Sequence, residues 1–294
     1  VPNKSVMPNI WTHLELAFVV AIWAGTFVAT KIVLTEISPA LSALYRYLLA
    51  SLILLIIDRK NTESIAKSDY PMIVLLSSTG VTLYYLLQHY GIQYTNATDA
   101  AILISLSPIF ICMISWFYFR EPLKIIALTG VLISFCGCLL VITDGHYEKI
   151  SIDERFEGNL LILLSAISCA VYSSFGKSML RKYSVRTLGK STTLIGTLLL
   201  IPFSLYEITP VSRFSLSWIG WANMLYLGGL ASVYGYLAWY RGLCRLPAAT
   251  VGSYLYFRPL LTGVIAAVLL QEQTSAYIVV GALLILSGTF LTTR

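Results

Sequence analysis

Charge is scarce in this 294-residue chain: 12% of its residues are Asp, Glu, Lys or Arg, against 57% that are hydrophobic. A soluble domain carries roughly 25% charged residues, and a water-facing fold of this composition would expose too much apolar surface. Catalytic signatures are missing as well. There is no His-Glu-x-x-His, no Gly-x-Ser-x-Gly and no pair of aspartates within an apolar run, so neither metal nor nucleophile chemistry is indicated. An enzyme is not expected, nor a cofactor. Cys112, Cys136, Cys138, Cys169 and Cys244 all fall inside or at the edge of apolar runs. None has a spaced partner in a polar loop, and they read as small packing residues. The net charge of +6 comes from short basic clusters between apolar runs rather than one basic stripe. That pattern excludes nucleic acid as a partner and points to phospholipid.

What the chain has instead is long hydrophobic runs. Ten stretches are long enough to cross a hydrocarbon core of ~30 Å, which takes about 20 helical residues: 14–35, 38–57, 72–93, 98–118, 123–143, 159–181, 186–206, 217–240, 248–270 and 274–292. The first exceeds the ~7–15 residues of a signal-peptide core and lacks a cleavage site, so no signal peptide is expected. Two connections are longer than the rest, around Asn61–Tyr70 and over the acidic Asp144–Glu157. The expected fold is an all-α polytopic membrane protein with no extramembrane domain. With the N-terminus placed inside, thirteen Lys and Arg fall in inner segments, among them Lys4, Arg59, Lys60, Lys67, Arg120, Lys124, Arg186, Arg241 and Arg294. Three fall outside: Lys149, Arg155 and Arg213. That bias predicts both termini in the cytoplasm, with the chain in the plasma (bacterial inner) membrane as a monomer or homodimer.

The two halves are copies. A shift of 151 residues superimposes Gly25 on Gly176, Lys31 on Lys182, Tyr85 on Tyr236, Gly91 on Gly242 and Ala97 on Ala248. It goes on to pair Pro108 with Pro259, Glu121 with Glu272, Gly130 with Gly281 and Gly137 with Gly288. The repeats are bounded at 14–143 and 159–292. Five helices is an odd number, so the second copy should enter the membrane upside down. Ten helices in two inverted five-helix repeats is an architecture of secondary transporters, with the substrate held near the bilayer midplane.

Several motifs carry a family resemblance. Trp23-Ala24-Gly25-Thr26-Phe27 lies in the first run, and Pro108 is followed twelve residues later by Arg120-Glu121-Pro122. Pro259 and Gln271-Glu272-Gln273 repeat that pattern, as Gly281 repeats Gly130. Together they resemble the drug/metabolite transporter superfamily, specifically its EamA-type members. The resemblance implies a ten-helix, exporter-like carrier of amino acids or other metabolites. It also implies that helices 1, 3, 4, 6, 8 and 9 surround the cavity, with 5 and 10 peripheral and the helix-2 arginine, Arg46, outside the cavity wall.

Arg258 is the most informative single residue. A guanidinium at the centre of a span costs about 2.5–3.5 kcal/mol on insertion scales, and every Asp and Glu lies near a predicted helix end or in a loop. A substrate carboxylate or phosphate would fit its fork; the alternative is a lone Arg bonded to carbonyls freed by the prolines. Its repeat mate is Ser107, so the pocket is asymmetric. Pro108 and Pro259 each remove a backbone donor and free a carbonyl near Ile104 and Leu255, which marks them as hinge or gating positions. Tyr85, Gln88 and His89 share one helical face, and Tyr236 and Tyr256 join them with Trp23 as substrate-binding candidates. The small residues Gly130, Ser134, Gly137, Gly281 and Gly288 read as packing surface. Glu121 and Glu272 read as helix-capping carboxylates. Lys31 and Lys177 can snorkel, and Glu15 reads as an interfacial charge.

A small-molecule substrate and a lipid bilayer are thus the expected partners. The leading reading is export of amino acids or related carboxylates by alternating access. Proton-coupled efflux of lipophilic cations, which would need Glu15, stays open, as does a receptor or scaffold without transport.

Overall fold

A computed structural model describes residues 10–59, 63–120, 125–145, 154–207, 216–246, 251 and 254–292. Lys4, Lys60, Glu121, Pro122, Lys124, Lys149, Arg213, Ala248 and Arg294 lie outside them, as does the side chain of Tyr240. The described residues contain no strand. Among the described residues, seven helices are long and apolar enough to cross a membrane. They are α1 (Ile10–Val33), α2 (Pro39–Ile57), α3 (Lys67–Tyr94), α4 (Ala97–Phe117), α5 (Ile125–Thr143), α6 (Glu154–Met179) and α7 (Val185–Glu207). A further helical stretch, α8 (218–245), and two shorter apolar helices, α9 (Tyr254–Leu269) and α10 (Ala276–Thr292), follow.

These sequences form helices because no other open structure satisfies its own backbone in hydrocarbon. Their apolar residues run all the way round rather than along one stripe. Phe117, Ile125, Val268 and Trp218 are more than 70% exposed, a surface suited to lipid and not to water. The chain is a multi-pass membrane protein.

Helix α5 packs along α10 more extensively than any other pair. A Cβ on Gly137 would lie 2.6 Å from the Gly281 carbonyl, and one on Gly130 would lie 2.5 Å from the Gly288 carbonyl. As the number rises on α5 it falls on α10, so the two helices run antiparallel. Between the glycine contacts, the Ser134 hydroxyl donates to the Ile285 carbonyl at 3.3 Å. The remaining helices pair as α3 with α6, α2 with α7, α1 with α8 and α9, and α4 with α6.

Local irregularities recur at the 151-residue spacing. A π-helical turn interrupts α3 at Ser78–Thr82, and another interrupts α8 at Tyr226–Tyr234. Arg120 and Gln271 both adopt left-handed φ, 55° and 54°. The prolines act differently from a mid-helix kink. Helix α4 stops after Ile104, turns through Ser105 and Leu106, and restarts at Ser107, with Pro108 in the first turn of the new segment. In α9 a 3-10 turn, Tyr254–Phe257, precedes the restart at Arg258, with Pro259 in the first turn. There the missing N–H costs nothing, because first-turn donors have no intrahelical partner.

Carboxylates cap neighbouring helices. Glu272 accepts from the Ala97 N–H at 2.8 Å and from the Thr98 N–H and hydroxyl at 3.2 and 2.9 Å. It therefore caps α4 rather than the α10 that follows it in sequence. Glu207 takes the Ala40 N–H of α2 at 3.0 Å, and Glu36 takes the Ser217 N–H before α8 at 2.7 Å. Glu63 accepts from Ser184 and Thr187 at the start of α7, and those hydroxyls hold its carboxyl below the usual range.

Candidate functional site

The break in α4 and the restart of α9 bring Ser107 and Arg258 into one neighbourhood. Cys169 of α6 lies beside Ser107 and within reach of the Arg258 charge, as does the Tyr84 hydroxyl of α3. The guanidinium carbon sits 5.5 Å from the centroid of the Phe27 ring. No hydrogen bond to Arg258 is found among the described residues, and its Nε is buried without a partner. The Ile104 carbonyl that Pro108 leaves free accepts from the Ser107 hydroxyl at 2.7 Å.

Arg46 is treated in the opposite way. It is 3% exposed, donates from Nε to the Ser232 hydroxyl at 3.0 Å and reaches the Tyr85 hydroxyl at 3.5 Å. Its carbon also lies 4.5 Å from the Tyr85 ring centroid. Helix α3 thus divides its polar residues. Gln88 donates to the Tyr84 hydroxyl at 3.1 Å, toward Arg258. Tyr85 and the fully buried His89 turn toward Arg46, their rings 6.0 Å apart. The Pro39 carbonyl lies near the His89 ring but outside hydrogen-bonding geometry.

Trp23 donates to the Ala231 carbonyl at 3.1 Å, inside the π-helical turn of α8, and its ring meets Tyr236 at 5.9 Å. Tyr256 faces the periphery, with its ring 6.2 Å from Phe290 of α10. The structure therefore gathers Arg258, Ser107 and Gln88 with Tyr84. It groups Trp23 with Tyr236 and sets His89 and Tyr256 elsewhere, while Tyr85 stands between the two groups, its ring 4.6 Å from that of Tyr84 and its hydroxyl toward Arg46. Arg46 is the deep residue whose surroundings sequence reasoning missed. Its partner Ser232 lies 186 residues away, and no local pattern links them.

A cavity of about 100 Å³ runs between α2, α3, α6, α7 and α8. Its deep end is lined by Tyr47, Ser232 and Tyr236, and its mouth by Asp58, Arg186 and Lys190. Lys190 holds Asp58 at 3.1 Å there. The opposite end of the helices is tied by ion pairs, beside an open pocket lined by Lys31, Asn96 and Glu272. Arg155 of α6 bridges Asp99 of α4 at 2.9 Å and Asp144 after α5 at 3.0 Å. Ser275 donates to Asp144, and Lys31 reaches the Thr95 carbonyl and Glu272, the latter at 3.8 Å. So Lys31 turns inward to a partner, while Lys177 is exposed. Glu15 is tied to Arg241 at 2.6 Å. No cluster able to hold a metal ion occurs among the described residues.

Comparison with known proteins agrees with this architecture. The sequence pattern of the EamA-like transporter family matches residues 11–143 and again 156–294. An uncharacterized transporter of Archaeoglobus fulgidus is 35% identical over 289 residues, spanning 97% of this chain and 98% of that protein. A probable terminal-alkyne amino-acid exporter of Streptantibioticus cattleyicolor is 25% identical, spanning 95% and 92%. A solved crystal structure shares the fold with a TM-score of 0.65 at 18% identity, over 95% of each chain.

Proposed function

This chain belongs to the EamA-like transporter family, and we propose that it exports amino acids or related carboxylates by alternating access, with Arg258 as the carboxylate anchor. It is a transporter and not an enzyme, like its relatives. The observation that carries the anchor is the buried, unpartnered Nε of Arg258 beside two broken helices. An uncompensated charge in hydrocarbon is expensive, and a bidentate carboxylate would remove that cost. Ser107, Tyr84 and Gln88 complete the site, with Trp23 and Tyr236 walling the route toward the cavity.

The proposal includes ten membrane-crossing helices in two inverted repeats, 14–143 and 159–292. Support comes from the antiparallel packing of α5 on α10 and from the paired π-helical turns, paired prolines and paired left-handed residues. The positive-inside count supports cytoplasmic termini in a plasma membrane. In that orientation the cavity mouth at Asp58 and Lys190 faces the cytoplasm, where an exporter loads, and the Arg155 ion pairs tie the outer ends of α4 and α6 together. The export direction draws further support from the Streptantibioticus relative.

Purified protein in proteoliposomes should exchange radiolabelled carboxylates, with the rate falling about tenfold or more in Arg258→Ala, as expected for loss of a charged hydrogen-bonded contact. Unchanged kinetics in that variant would remove the anchor.

A further inference from the structure

Amino acids and plain organic acids both carry a carboxylate, and they differ in the ammonium group. The polar groups around Arg258 discriminate between them. Among the described residues every Asp and Glu lies within two turns of a helix end or in a connection. The acid nearest the start of α1, Glu15, is already bound to Arg241. No carboxylate therefore faces the middle of the bundle, where two guanidiniums, Arg46 and Arg258, reside.

Carbonyl oxygens at broken helices are the other means by which a transporter receives a cation. Here several of them already accept one bond from the protein's own donors. Ser107 occupies the Ile104 carbonyl and Ser105 the Ala101 carbonyl. In α8, Ser232 occupies the Leu227 carbonyl and Trp23 that of Ala231. Aromatic faces can also hold an ammonium, but the Phe27 face beside the site carries the Arg258 guanidinium. A second cation there would be repelled at close range, in a medium that screens poorly. The site holds a guanidinium and neutral polar groups and, among the described residues, no anionic acceptor.

We infer that the transported species is a net organic anion, a carboxylate or phosphate ester without an ammonium group, rather than a zwitterionic amino acid. This rests on the reading of Arg258 as the anchor and narrows it. Burying an ammonium beside a guanidinium, with no carboxylate to pair it, would cost more than the anchor returns. The same skeleton with a hydroxyl in place of the ammonium avoids that cost.

Matched pairs test this. Proteoliposomes carrying the full chain would be offered labelled serine and glycerate, phenylalanine and phenyllactate, and phosphoserine and 3-phosphoglycerate. The expected result is a preference of about tenfold or more for the ammonium-free member of each pair. That preference should disappear in Arg258→Gln and survive in weakened form in Arg258→Lys, which keeps the charge and loses the fork. Thermal melts of both variants verify that they fold. The third pair against the first two tells phosphate from carboxylate recognition. Amino acids moving as fast as their hydroxy analogues would overturn the inference and leave carboxylate transport standing. No flux of any compound by well-folded wild-type protein would overturn both.

Discussion

Two arginines sit deep among these helices, and they solve the same problem differently. Arg46 is paid in hydrogen bonds: Ser232 takes its Nε, and the Tyr85 ring and hydroxyl take the rest. Arg258 has one ring beside it and a buried Nε with no acceptor. Their removal should therefore have opposite consequences for stability. Arg46→Ala deletes charged hydrogen bonds worth about 1.5–3 kcal/mol and opens a gap against Tyr85. Arg258→Ala deletes an unsatisfied group, so it should leave stability unchanged or raise it. Thermal unfolding of the two purified variants in detergent measures the contrast, and a larger loss in Arg258→Ala would contradict the unpartnered environment described for it. Only one of these residues was readable in advance as special. Each is a lone charge in an apolar run, and Arg258 alone stands next to a proline.

At the scale of elements, the small-residue stripes on α5 and α10 were legible, because glycines four and seven apart must share a face. The contact agrees with that reading. A Cβ on Gly288 would meet the Ser134 hydroxyl and the Gly130 carbonyl inside van der Waals contact. The carbonyl belongs to a helix backbone that cannot step aside alone. Gly288→Val should part the two helices and cost about 1–3 kcal/mol by overpacking. Gly189→Ala, with nothing within 4 Å of its Cβ position, is the control, expected to hold or slightly raise the melting temperature because alanine favours a helix; equal melting temperatures for the two variants would refute the tight crossing.

The polar face of α3 was less legible. At about 100° per residue, Gln88 stands roughly 40° from Tyr84 and 60° from Tyr85, so periodicity alone cannot say which tyrosine it joins. The structure joins it to Tyr84, and the other side of the helix follows Arg46. The caps show a similar division. That Glu272 caps a helix follows from its position at a junction; that the helix is α4 depends on how α4 and α10 are packed.

For the whole molecule, the ends are unequal. Ion pairs bind α4 and α6 to the residues after α5 at one end, and a cavity opens between α2 and α7 at the other. A carrier caught between two exposures should react from one side only. Cysteines placed at Asp58 and at Asn96, in a background lacking the native five, should be labelled unequally by a membrane-impermeant maleimide in right-side-out vesicles. Asn96 should react and Asp58 should stay protected until the vesicles are opened. The reverse pattern would invert the orientation derived from the basic residues.

Sequence by itself determined that this chain is helical, lies in a membrane, is built from a duplicated unit and belongs among transporters. The physical reason is that lipid imposes local demands: long apolar runs, internally bonded backbone and basic residues on one side. Each can be met, and so read, within a single segment. Tertiary structure alone decided which arginine is free. A guanidinium is satisfied or left unsatisfied by groups far along the chain, as Ser232 is for Arg46, and that pairing exists only once the helices are packed.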